Sequence, residues 1–321
     1  MSSEKIPVIF DCDPGVDDAV ALMVAFAQEK LDILAVTTVA GNVPLEHTTR
    51  NARAILATMG VKNRIYKGAS EPLMPVYKEV ATSVHGATGL GNYSLPEDEL
   101  HPLEPESALV AMHRILSEAE KPVTIIAVGP LTNIAILIKA YPELKEKIEK
   151  LSIMGGAFKK GNKSAAAEYN ILFDPEAAEI VFNSGIPIIL ASLDITLKAT
   201  MSGRDLLNLR EVGNPISLML ADTLEYYFGG IPSMDVADSS DTLHDVVSVL
   251  ALTDPELFTG MDLKVEVETG GNYCRGYTLA DFRSENKSIN RPAPIPNTYS
   301  LFDLDVEKFH KKILEAARSY K

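Results

Sequence analysis

The sequence is short of cations. Thirty Lys and Arg stand against 44 Asp and Glu, a formal net charge of −14 over 321 residues. Such a chain is a poor match for a phosphate backbone, so nucleic acid is excluded as a partner and a small molecule or metal ion is favoured. Cysteine is scarce as well: Cys12 and Cys274 give no disulfide framework. No apolar run approaches the roughly 20 residues of a membrane-spanning helix, so no membrane partner is expected. The opening Met1-Ser2-Ser3-Glu4-Lys5 lacks the basic and apolar regions of a secretory leader. A cytoplasmic protein is the expectation. No linker and no internal repeat breaks the chain, and this length suits one α/β domain over residues 1–321.

What the sequence does have is carboxylate concentrated in one place. Asp11-Cys12-Asp13-Pro14-Gly15-Val16-Asp17-Asp18 puts four acids into eight residues. The apolar run 6–10 precedes them and a helical pattern from Ala19 to Gln28 follows. The acids therefore sit where a buried strand gives way to a helix, which is where open α/β sheets bind ligands. Crowded carboxylates raise one another's pKa, and a hard cation such as Ca²⁺ or Mg²⁺ relieves the repulsion. Pro14-Gly15 supplies a tight turn that folds the second acid pair back toward the first. One Asp would suffice to cap a helix; four point to a metal site.

Strand and helix patterns then alternate. Residues 31–40 read as a second buried strand ending at Gly41-Asn42, and 44–59 as a helix with Ala52, Ile55, Leu56 and Met59 on one face. A short strand follows at 64–68. Residues 70–105 form a Pro- and Gly-rich loop, long enough to be functional or disordered. Then come a helix over 106–120, a strand over 122–128, a helix over 134–140 and a strand over 151–154. Asp174-Pro175 opens a further helix, with Asp174 as its cap. Residues 186–192 are the last strand of the parallel type. This alternation predicts an open, mostly parallel, Rossmann-like sheet flanked by helices. Residues 203–228 read as largely helical, 263–268 and 275–279 as strands, the segment after them as a polar loop, and 305–320 as a C-terminal helix.

Several polar groups fall at strand ends. Asn42 either holds a hydroxyl or closes a turn. The Val128 carbonyl points out beside the acids if the strands are neighbours, and backbone carbonyls are ordinary Ca²⁺ ligands. His85, on a glycine-rich stretch, is either a surface group or reaches into a cleft. Glu168 and Asn170, two apart, share a side if the segment is extended. Tyr226-Tyr227-Phe228 before paired glycines is either core or a lid over a flat ligand. His244-Asp245, ahead of an apolar helix, is either a cap or an acid on a metal with an imidazole beside it.

Together these motifs carry a resemblance. Asp11-Cys-Asp13-Pro-Gly-Val-Asp17-Asp18 resembles the N-terminal signature of the inosine/uridine-preferring nucleoside hydrolases. Thr37 to Asn42 (TTVAGN), Val128 to Asn133 (VGPLTN), Met154-Gly-Gly, Ala167-Glu-Tyr-Asn170, Asp174-Pro-Glu-Ala-Ala178 and His244-Asp245 follow in that family's order. The resemblance spans at least residues 6–310. It implies Ca²⁺ held by Asp13, Asp18, the Val128 carbonyl and Asp245, with Asp11 supporting them and Asp13 as general base toward a metal-activated water. It implies ribose hydroxyls on Asp17, Asn42, Asn170 and Asp245, the 5′-hydroxyl on Asn162 and Glu168, and Met154 against the sugar. His244 takes the place of a histidine near the departing base, and His85 and Tyr227 fall to the base side. The implied activity is hydrolysis of ribonucleosides, pyrimidine-preferring or mixed, in nucleoside salvage, by a homotetramer or homodimer. A purine preference, a haloacid-dehalogenase-like phosphatase with Asp11 as nucleophile, and a non-catalytic nucleoside-binding protein are the alternatives.

Overall fold

Alternation along the first strand decides the layering. Val8, Phe10 and Cys12 enter one apolar layer and Ile9 enters the other, so the sheet is buried on both faces. The computed structural model describes residues 5–75, 81–228, 240–285 and 294–321. Its strands are β1 (Ile6–Cys12), β2 (Leu31–Thr38), β3 (Ile65–Lys67), β4 (Val123–Ala127), β5 (Ile148–Met154) and β6 (Ile188–Ala191). Then come β7 (Thr200–Ser202), β8 (Ser240–Thr242), β9 (Phe258–Val267), β10 (Thr278–Asp281) and β11 (Thr298–Leu304). β7 and β8 pair as a separate ribbon; the other nine form one sheet in the order β10-β9-β11-β6-β5-β4-β1-β2-β3. Every pairing from β11 through β6 to β3 is parallel, and β9 and β10 add an antiparallel edge. The expected open, mostly parallel sheet is what the chain forms.

The helices are α1 (Val16–Ala27), α2 (Leu45–Met59), α3 (Thr82–His85), α4 (Ala108–Glu118), α5 (Thr132–Ala140) and α6 (Tyr169–Phe173). They continue with α7 (Pro175–Phe182), α8 (Leu193–Thr196), α9 (Gly203–Val212), α10 (Pro215–Tyr227), α11 (Val246–Thr253) and α12 (Val306–Arg318). Residues of α1, α9, α10, α11 and α12 fill one layer, and those of α4, α5 and α7 the other. Among the described residues no helix is long and apolar enough to cross a membrane.

Three local readings differ from the structure. β11 lies in the segment expected to be a polar loop. Its inward positions include Thr298 and Ser300, which bond each other at 2.9 Å, so hydroxyls satisfied within the sheet replace the apolar signal of a strand. The helical stretch 203–228 is two helices. Gly213 takes a left-handed φ of 75°, and the Asn214 side chain caps α10 by accepting from Ser217 N–H at 2.9 Å. Residues 168–170 are not extended: Glu168 is the cap of α6, accepting from the N–H groups of Asn170 and Ile171.

Candidate active site

Strand order places the site. From β1 the chain moves outward through β2 and β3. It then returns to β4, next to β1, and moves the other way through β5 and β6. The loops leaving β1 and β4 diverge, and a crevice opens at their carboxyl ends. Asp11 on β1 pairs in register with Ala127, and Val128 N–H donates to the Asp11 carbonyl at 3.0 Å. The strand ends bring Asn42 (after β2), Val128 (after β4) and Met154 (end of β5) to the same rim as the acids.

The acids are all buried. Asp17 and Asp18 fall in the first turn of α1, and Asp18 does serve the helix start: its carboxylate accepts from Gly15 N–H at 2.9 Å and Asp13 N–H at 3.2 Å. Asp245 stands at the cap position of α11 yet makes no cap bond, which leaves its carboxyl to the crevice. One oxygen each from Asp17, Asp18 and Asp245 lie within 4.8 Å of one another. Asp13 stands outside that triple. Asn42 N–H donates to Asp13 Oδ2 at 2.6 Å, and Oδ1 is buried without a partner. The Val128 carbonyl takes the Asn170 side-chain N–H at 2.8 Å. Asp11 accepts from Asn133 at 2.8 Å and from the Thr37 hydroxyl.

Burial drives the electrostatics. It pushes Asp11 up to about 7 against the pull of Thr37 and Asn133. Asp18 rises to about 7 through burial and then the Asp17 charge. Asp13 and Asp245 are held well above the usual range by burial, then by Asp18 and Asp17 respectively. Among the described residues no Lys or Arg pairs with any of them. Buried like charges without a counter-charge are costly. An oxygen-liganded divalent cation fits both the donor set and the partnerless Asp13 Oδ1.

The crevice continues as a cleft of about 400 Å³. At one end Glu168, buried, accepts from the N–H groups of Gly156, Asn170 and Ile171 at 2.8–3.1 Å. Asn170 donates to Val128 and Met154 carbonyls, and exposed Asn162 accepts from Tyr169 N–H at 3.0 Å. At the other end the His85 and Tyr227 rings lie 5.6 Å apart. His85 is buried, not a surface group. Its Nδ1 accepts from Val16 N–H at 3.2 Å, which puts the ring proton on Nε2, and burial holds its pKa down at about 4. His244 lines the same end, but Thr196 and Thr242 hydroxyls bond its two ring nitrogens at 2.7 and 2.9 Å. Burial lowers its pKa, with Asp17 opposing. Tyr226, Tyr227 and Phe228, read as core or lid, stand at the end of α10, where Tyr227 belongs to the cleft wall; the glycines and the segment after them, 229–239, lie outside the described residues.

Sequence reasoning thus names most of the polar wall and misses Ala81, Val84, Lys163, Leu197, Asp241 and Thr242. Asp241 and Thr242 come from the β7–β8 ribbon, whose three-residue strands carry no periodic signal. The phosphatase alternative fails here: Asp11, its required nucleophile, is fully buried with one oxygen held by two side chains.

Comparison with known proteins converges on one group. Residues 8–311 match the family described as inosine-uridine preferring nucleoside hydrolase. The pyrimidine-specific ribonucleoside hydrolase RihA of Citrobacter koseri is 40% identical over 318 residues, 98% of this chain and 99% of that one. The RihA of Klebsiella pneumoniae is 41% identical over 308 residues, 95% and 96% of the two chains. Among solved structures, a purine-preferring ribonucleoside hydrolase from Gardnerella vaginalis superposes with a TM-score of 0.86 at 30% identity over 98% of each chain. The plant nucleoside hydrolase PpNRh1 gives 0.87 at 32%, over 98% of this chain and 99% of that one.

Proposed function

This chain belongs to the inosine/uridine-preferring nucleoside hydrolases, enzymes that split ribonucleosides, and from that premise we propose a Ca²⁺-dependent hydrolase that prefers pyrimidine ribonucleosides. The observation that carries the cation is the set of buried carboxylates at the switch point, with no Lys or Arg partner among the described residues. The lean to pyrimidines rests on 40% identity to relatives named for that specificity. Purine preference is the competing outcome, since a relative named for it shares the fold at 30% identity.

Asp13, Asp18, Asp245 and the Val128 carbonyl would hold the cation, with Asp17 next to Asp18 and Asp245. Once bound, it would neutralise the acids, orient the ribose diol and acidify the attacking water. The protein's own groups do the rest. Asp13, fixed through Oδ2 by Asn42 N–H, takes the water's proton on Oδ1. Breaking the N-ribosidic bond builds positive charge on C1′ and the ring oxygen, and the surrounding carboxylates stabilise it. Asn42, Asn170 and Asp17 receive the 2′- and 3′-hydroxyls, Glu168 and Asn162 the 5′-hydroxyl, and Met154 packs on the sugar. The base then lies between His85, Tyr227 and His244, and His244 gives it a proton as it leaves. By the same resemblance we infer one unit over residues 1–321, acting in cytoplasmic nucleoside salvage as a homotetramer or homodimer.

The test is ribose release from uridine, cytidine and inosine before and after exhaustive chelation. Release that falls on chelation and returns with Ca²⁺ supports the reading, and the ranking fixes the base preference. Release indifferent to chelation would remove the cation from the mechanism.

A further inference from the structure

The base end of the cleft has few atoms with which to tell one base from another. Leu197 and the Tyr227 ring are a surface for any flat ring. His85 Nδ1 is taken by Val16 N–H, and each His244 nitrogen bonds a threonine hydroxyl, so His244 reaches the base only by exchanging one of those bonds. Asp241 differs. It sits on β8, in register with Met201 of β7, and lines the cleft beside Thr242. Asp17, His85 and Tyr227 line the same cleft, so Asp241 shares the space these groups enclose. It is half-buried, its hydrogen-bond partner among the described residues is Thr242 (N–H to Oδ1, 2.8 Å), and no described Lys or Arg pairs with it. A carboxylate kept in such a place, against the repulsion of an acid-rich cleft, leaves strong acceptor capacity waiting for a donor.

We propose that Asp241 is a specificity-determining residue: it accepts an N–H of the departing base, the imide N–H of uracil or the amino N–H of cytosine. This deepens the pyrimidine reading and rests on it. A site built around an acceptor rejects an analogue that has lost the donor, because the acceptor is then buried unpaired. A charged hydrogen bond at a half-open position corresponds to roughly 10- to 100-fold in kcat/KM.

The experiment compares uridine with 3-methyluridine, which has no imide N–H, in the wild-type enzyme and in the Asp241→Ala and near-isosteric Asp241→Asn variants; 4-nitrophenyl riboside is run on the wild type. The expected result is a wild-type preference for uridine of roughly 10- to 100-fold that collapses to within about threefold in the Ala variant and shrinks in the Asn variant. If the Ala variant does not fold, the Asn variant decides. A uridine preference left unchanged by substitution, or absent in the wild type, overturns the role of Asp241 while leaving the hydrolase intact. Turnover of the aryl riboside with none of either pyrimidine nucleoside overturns the pyrimidine reading and this proposal with it.

Discussion

Asp13 occupies a space trimmed to a carboxylate. A Cβ added at Gly41 would lie 2.0 Å from its Oδ2, closer than any atoms pack, so the carboxylate would have to move. Gly41→Ala should therefore lower kcat on uridine by about 100-fold, the scale of an ångström-sized misplacement. Near-native circular dichroism must accompany that loss; unchanged turnover would show that Asp13 tolerates displacement and is not the base. His244 permits a sharper experiment. General acid assistance is worth roughly 10²–10⁴-fold, but only to a base that leaves poorly. His244→Ala should cut uridine hydrolysis far more than that of 4-nitrophenyl riboside, whose leaving group needs no proton. Equal losses on the two substrates would end the acid role. At this scale the acids were legible because four carboxylates after a strand have few structural uses. The threonines bonded to His244 were not, because Thr196 reaches it across 48 positions of sequence and a hydroxyl carries no pattern.

Asp174 shows how elements hold the cleft together. The sequence marks it as the cap of α7, and it does accept from Ala177 N–H at 3.0 Å. It also accepts from Leu73 N–H at 2.8 Å and the Thr132 hydroxyl at 2.6 Å. One side chain thus ties the start of α7 to the start of α5 and to the long loop that carries His85. Asp174→Ala strands three donors, and with a net of about 1 kcal/mol per bond plus desolvation, a loss of about 3 kcal/mol is expected. Urea denaturation checks it; a loss below about 0.5 kcal/mol, the scale of a surface substitution, would mean that the loop is not anchored there. Elements with strong periodicity were readable. Those specified by satisfied hydroxyls, as in β11, or by one capping carboxylate, as in α6, were not: their determinants are hydrogen bonds made after folding.

For the whole molecule the consequence is a stability that depends jointly on pH and cation. In the chelated protein, burial holds Asp11 and Asp18 at about 7, against 3.8 for an ordinary Asp, and raises Asp13 and Asp245 well above that ordinary value too. A raised carboxyl pKa means that the folded state holds protons which the unfolded state releases. Stability is then fully present below about pH 3.8 and is lost as pH rises through about 7. His85, held down at about 4, works the other way, losing stability as pH falls from 6.5 toward 4, and His244, also lowered by burial, acts in the same sense, but these are two groups against four. The chelated protein should therefore melt at a higher temperature at pH 5.5 than at pH 8. On the proposed reading, Ca²⁺ would substitute for those protons. At 100 times its Kd it should add about 2.7 kcal/mol at pH 8 and much less at pH 5.5, flattening the pH profile. The overall charge of −14 also favours folding at lower pH, but through the surface. Asp18→Asn separates the two: it keeps the surface contribution and should lose the calcium response. A calcium shift in melting temperature that is equal at both pH values, or that survives in Asp18→Asn, would place the cation somewhere other than the acids after β1.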